Sequence, residues 1–191
     1  MKLQDGMLLF HASYVAIENI DLSKCMGGKD FGRGFYLTSD AVQARNFIKS
    51  SLNKAKNYGL IPYSQNYGFV TSFRFCYSIS DIRIYEFEHA DKEWLYFISK
   101  NRRKSLSKNL ISYIDPSIFK ADIIIGKVAN DTTNPVITTF LNGLYGDITS
   151  DRAVSIAIEQ LLPDHLKDQF CFLTENAVSC LKFQEARKYV V

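Results

Sequence analysis

Apolar residues recur in short runs and in two clear helical periods, and that pattern predicts most of the elements. Met7 to Phe10 is a short apolar run that reads as a buried strand, with His11 at its end. Phe35, Tyr36 and Leu37 read as a second strand end, followed by Thr38, Ser39 and Asp40, which have the side chains that cap helices. Ala41, Ala44, Phe47, Ile48, Leu52 and Ala55 then recur at spacings of three and four, predicting a helix to about Asn57. The segments Phe69 to Tyr77 and Ile82 to Phe87 are rich in aromatic and β-branched residues and read as paired strands. Trp94, Leu95, Phe97 and Ile98 predict a helix that runs into a basic stretch from Lys100 to Lys108. Ala121 to Ala129 reads as a central strand, and residues 149–162 as a helix capped by Thr149 or Ser150 and stopped by Pro163. Phe170 to Leu173 reads as a strand and Glu175 to Cys180 as a helical turn.

With 191 residues and no internal repeat or linker, the chain is expected to form one domain, residues 1–191, of the α+β class. Hydrophobic residues at 47% and charged residues at 23% fit a globular protein and exclude a disordered or fibrous one. The aromatic content, 14 Phe and 11 Tyr, supplies a large core and also surfaces on which a planar ligand can stack. A net charge of +3 does not by itself call for nucleic acid. Cys25, Cys76, Cys171 and Cys180 stand far apart with no C-x-x-C pair, so no zinc site or other metal is expected and the thiols are read as reduced. No run is long and apolar enough for a membrane span or a usual signal peptide. The expected location is the cytoplasm, with secretion as an effector or toxin left open.

Three places have candidate chemistry. His11, with Ala12 and Ser13, ends the first strand. Gly27, Gly28, Gly32 and Gly34 crowd an eight-residue window, which marks a loop that turns sharply or approaches something closely. This loop lacks the G-K-[ST] of a phosphate-binding P-loop and is not a dinucleotide G-x-G-x-x-G. Asp168 and Gln169 open a late strand. Each taken alone fits a packed histidine, a turn and a cap.

In their order, these motifs resemble the ADP-ribosyltransferase fold in its H-Y-E branch, that of poly-ADP-ribose polymerases and diphtheria toxin. Leu9-Phe10-His11-Ala12-Ser13 is similar to that branch's L-[WY]-H-G-S, and Gly32-Arg33-Gly34-Phe35-Tyr36-Leu37 to its G-K-G-I-Y-F. Gln169-Phe170-Cys171-Phe172-Leu173, followed by Val178 to Phe183, looks like its E-Y-[IV]-V-Y and closing L-K-Y. Across nearly the whole chain, Asp30 to Thr38, Trp94 to Arg102, Asp122 to Asp131 and Gln169 to Phe183 also resemble a bacterial family of unassigned function grouped with ADP-ribosyltransferase-like domains.

The resemblance implies split antiparallel sheets with flanking helices and a cleft for NAD. It implies that His11 hydrogen-bonds the adenosine ribose, Ser13 and the Ala12 backbone hold the carboxamide, and Tyr36 with Phe47 sandwiches the nicotinamide. It adds Gly34 and Arg102 to the NAD contacts and assigns Gln169 to the 2′-hydroxyl of the reacting ribose. The implied reaction is mono-ADP-ribosyl transfer from NAD to a protein or nucleic-acid acceptor, with NAD hydrolysis beside it. Two residues depart from the pattern. Ala12 replaces a glycine and requires a negative φ. Gln169 replaces the catalytic glutamate, keeping hydrogen bonds but losing charge. Glu175 cannot replace it, because six strand residues put it roughly 20 Å away. The alternatives are a weak or inactive module that binds NAD or ADP-ribose, and an interaction protein that keeps only the fold.

Overall fold

The computed structural model describes residues 2–77, 81–103, 108–129, 133–161 and 168–191. In chain order the elements are β1 (Leu8–Ser13), β2 (Phe35–Thr38), α1 (Ala41–Asn57), β3 (Tyr67–Phe75), β4 (Ile84–Glu86) and α2 (Lys92–Arg102), then β5 (Ile123–Lys127), α3 (Thr133–Leu141), α4 (Asp151–Leu161), β6 (Asp168–Phe172), α5 (Glu175–Ser179) and β7 (Leu181–Val190). Asp40 caps α1 as the sequence predicts: its carboxylate accepts from the backbone N–H of Val42 and of Gln43. Ser150 caps α4, its hydroxyl oxygen accepting from the N–H of Ala153. The predicted stop at Pro163 and Lys104 of the basic stretch lie outside the described residues.

The strands form a mixed, mostly antiparallel sheet in the order β4-β5-β6-β2-β1-β3-β7, with β4 and β5 parallel. The fold is therefore α+β, and the expected split takes the form of a seam within one sheet. β1 and β2 pair at Phe10↔Thr38 alone, whereas β1 and β3 pair along six residues. One half, β4-β5-β6-β2, and the other, β1-β3-β7, thus meet at a single bridge beside His11. The expectation that 69–77 and 82–87 pair with each other is corrected. β3 bonds β1 and β7, while β4 lies at the far edge against β5. Hydrophobic alternation identifies strands but does not choose their partners.

Three apolar clusters fix the layers. On one half, Trp94, Ile98, Ile124, Ile137, Phe140 and Ala157 pack α2, α3 and α4 against β5. On the opposite face Leu9, Phe35, Phe73, Ile125 and Phe172 lie under the segment that contains Ile17, Ile20 and Leu22. Ala44, Ile48 and Leu52 seat α1 on Val70 of β3. Trp94, Phe170 and Phe172 are fully buried, as core residues should be.

Candidate functional site

Three consecutive strands carry the three motifs. β6, β2 and β1 are neighbours, with Tyr36 opposite Cys171 and Thr38 opposite Gln169. Because directly opposed residues share a face and alternate residues return to it, Tyr36, Cys171 and Gln169 look out on the same side. His11 lies on the other side: its neighbour Phe10 is the residue opposed to Thr38, and its ring stacks on Phe35 at 4.4 Å. It reaches Tyr36 through the backbone, Nδ1–H donating to the Tyr36 carbonyl at 2.7 Å. A carbonyl can only accept, so Nδ1 carries the proton and Nε2 is left as an acceptor. The imidazole thereby ties the two half-sheets where the ladder has opened.

Burial lowers the His11 pKa to about 4, and the nearby Lys29 charge adds to this against the opposing pull of the Tyr36 carbonyl. Between pH 6.5 and about 4 the unfolded chain takes up a proton that folded His11 refuses, so stability falls as pH falls through that window. The loss is roughly 3 kcal/mol at most, since the ring is half-buried. Urea unfolding at pH 7 and pH 4.5 should show that slope, and His11→Asn should flatten it.

Ala12 pairs with Val70 inside the β1–β3 ladder, in extended backbone where alanine meets no strain. The buried Ser13 hydroxyl accepts from the N–H of Val15 at 3.5 Å. Gly34 meets the close approach foreseen for the glycine loop. A Cβ there would sit 2.6 Å from Cys171 Sγ and 2.8 Å from the Phe172 carbonyl oxygen. Gly34→Ala should therefore cost about 1–3 kcal/mol through overpacking, read as a fall in melting temperature. Phe47 is 39% exposed on α1 and, among the described residues, makes no ring contact with Tyr36. The aromatic sandwich is not assembled in this structure.

The loop between β1 and β2 folds over Tyr36 instead. The Tyr36 hydroxyl donates to the Gly32 carbonyl at 2.8 Å and accepts from the Phe31 N–H at 3.0 Å. Burial, first of all, holds its pKa well above the ordinary tyrosine value, so it remains a donor at neutral pH. The Lys29 ammonium rests 4.9 Å from the Tyr36 ring centroid. Phe31 is buried against Phe87 and Phe97 and anchors the loop in the core.

The residue that sequence reasoning missed is Asp30. Its carboxylate is almost completely buried and accepts from Arg102 Nε at 2.5 Å, from Gln169 Nε2 at 3.0 Å and from the Ala129 N–H at 3.3 Å. Its backbone carbonyl accepts from Asn101 Nδ2 at 2.9 Å. The amide nitrogen of Gln169 also lies 3.4 Å from the Lys127 carbonyl. Gln169 and Arg102, both expected to contact NAD, are thus joined through one carboxylate. Asp168, by contrast, pairs with Lys127 Nζ at 3.2 Å. The signal was present as the first residue of the Asp30 to Thr38 string, but nothing local distinguishes a buried acid from a loop acid.

Chemically, the arrangement offers an aromatic face that already accepts a cation and a buried, paired carboxylate beside an amide. No helix among the described residues is long and apolar enough to cross a membrane. No curated protein and no solved structure matches the chain. The family model described as "Protein of unknown function (DUF3990)" matches residues 7–183, from the start of the β1 run to Phe183 in β7. This span contains all the motif residues above, and the chain belongs to the DUF3990 family.

Proposed function

We propose that the protein is an ADP-ribosyltransferase-like domain that binds NAD and transfers ADP-ribose to a protein or nucleic-acid acceptor. The observation that carries this reading is the placement of Tyr36 and Gln169 on one face of adjacent strands with the Asp30 carboxylate between loop and strand. In the reaction, the bond between ribose C1′ and the nicotinamide nitrogen breaks and its electron pair leaves with nicotinamide. The acceptor then attacks C1′ and releases a proton. Positive charge develops on the ribose, and a fixed negative charge nearby lowers that barrier. Gln169 lacks that charge, and Asp30, 3.0 Å from its amide nitrogen and paired with Arg102, orients the amide so that its oxygen can meet the ribose. The Tyr36 ring suits the oxidised nicotinamide, which is itself a planar cation, and Lys29 holds that position until the ligand displaces it.

A second reading, an NAD or ADP-ribose-binding module without turnover, is favoured by the pairing of Asp30 with Arg102 and of Gln169 Nε2 with Asp30. Incubation with NAD separates the two. Nicotinamide release that falls at least tenfold in Gln169→Ala and Tyr36→Ala is the expected result. Saturable NAD binding without release selects the binding module, and no NAD binding by wild-type protein overturns both.

A further inference from the structure

The sheet face that carries Tyr36 and Gln169 continues past α1 to the β7 edge, and its charge changes on the way. Phe10 is opposed to Thr38 and to Ser72, so that face reaches β3 at Arg74 and, across the bulge beside Ser72, β7 at Lys182, Arg187 and Tyr189. From residue 41 to residue 80 the chain has five cations, Arg45, Lys49, Lys54, Lys56 and Arg74, and no carboxylate. These forty residues therefore supply more than the whole net charge of +3. Three observations on this strip define what would cover it.

First, Arg45, Lys49, Arg74 and Lys182 are exposed, and none of them pairs with a carboxylate among the described residues. Arg74 donates from Nη1 to the Gly6 carbonyl at 3.0 Å, which leaves most of its five N–H groups. Arg187 is left out of the count, because Glu185 holds its Nε at 2.9 Å. Second, Arg74 and Lys182 are directly opposed in the β3–β7 ladder. Like charges at such a position destabilise a sheet, and an anion between them reverses the sign of the interaction. Third, the Arg45 guanidinium rests over the Tyr189 ring, 5.0 Å from its centroid, on the flank of α1 that borders β7. Lys49 follows one turn later on the same flank. A flat guanidinium backed by a ring is a platform on which a nucleic-acid base stacks, with no side chain displaced.

Several separated cations call for a chain of negative charges, and the platform calls for flat groups along that chain. An acidic peptide or a lipid surface supplies the charge without the rings. A duplex has both but keeps its base faces in its own stack. We propose that the strip between α1 and the β7 edge binds single-stranded nucleic acid, with phosphates on Lys49, Arg74 and Lys182 and a base on the Arg45–Tyr189 stack. The surface does not depend on NAD being the ligand at Tyr36 and Gln169.

Fluorescence anisotropy of the full chain with labelled poly(dT) and poly(U) strands of roughly 15 nucleotides tests it. Both should bind saturably, with the logarithm of affinity falling linearly as the logarithm of salt rises. Lys49→Ala and Lys182→Ala should each weaken binding and make that slope shallower by about 0.7. Lys182→Ala should also raise the melting temperature, since it frees Arg74 from the opposed charge, whereas a lower one would make Lys182 a structural residue and remove it from the strip. Arg45→Lys keeps the charge and should weaken binding by about fivefold or more with the slope unaltered. Wild-type affinity in that variant overturns the stacking contact. Absence of binding at about 50 mM salt overturns the proposal, as does binding indifferent to both lysine substitutions. Equal affinity for a duplex of the same length, for polyglutamate or for phosphatidylserine vesicles overturns it too, by making the strip a general anion surface. Strand binding without nicotinamide release from NAD leaves this surface standing and the transferase reading fallen, and release without strand binding does the reverse.

Discussion

Asp30→Ala should lower the free energy of unfolding by about 3–5 kcal/mol, because it strands the Arg102 guanidinium in a largely buried position. The side chains are 4% exposed for Asp30 and 19% for Arg102, so water cannot replace the lost partner well. The same change removes the acceptor from Gln169 Nε2 and from the Ala129 N–H, both otherwise held at hydrogen-bond distance. For a chain of this size the loss corresponds to a fall of roughly 6–20 °C in melting temperature. Arg102→Ala should be damaging for the mirror reason, leaving a buried carboxylate without its cation. The double variant Asp30→Ala/Arg102→Ala should then be clearly less unstable than the sum of the two singles, since neither charge is stranded. Strict additivity, with each single change below about 1 kcal/mol, would show that the carboxylate is no hub.

Gln169→Glu is expected to destabilise the fold at neutral pH by about 2–4 kcal/mol and not to raise activity, although it restores the residue type of the H-Y-E pattern. The nitrogen that it replaces faces two acceptors, the Asp30 carboxylate and the Lys127 carbonyl. A second carboxylate there must take a proton to donate, so its folded pKa lies above the ordinary glutamate value. A raised pKa in the folded state means that the variant is least impaired below about pH 4.3 and loses stability as pH rises from there. Chemical denaturation of both proteins from pH 4 to 8 measures this as a gap that widens with pH. Exchanging the pair, in Asp30→Asn/Gln169→Glu, keeps one acid and one amide in contact and should recover much of the loss. A Gln169→Glu protein as stable as wild type at pH 7 would overturn this account of the pair.

Much of the fold is legible in the sequence wherever one face of an element is buried. The α1 helix follows from Ala44, Ile48 and Leu52 together with the Asp40 cap, and β5 from its run of isoleucines. Two elements escape the reading for different reasons. In β7 only Leu181 is buried, so its Lys, Glu and Arg residues hide a strand that is held by backbone bonds to β3. In α3 the Asn134-Pro135 pair looks like a break, yet Pro135 sits in the first turn, where its missing N–H costs nothing. At the site, the motifs locate His11, Tyr36 and Gln169 on neighbouring strands, but the face each side chain takes depends on register. Register is a property of the partner strand and the opened seam, which no local pattern encodes. Asp30 is invisible for a related reason: its three donors come from residues 72 to 139 positions away.

The order of strands also sets a timetable for the newborn chain. β3 receives β1 early, from a segment already synthesised, but its other edge waits for residues 181–190, about a hundred positions later. During that interval a nine-residue strand carrying Phe69, Phe73 and Phe75 offers a row of unpaired backbone groups to whatever is nearby. Such distant pairings form slowly. Shortening the chain before Leu181 therefore would not merely remove an exposed, charged strand. It would leave the protein permanently at its most adhesive stage of synthesis.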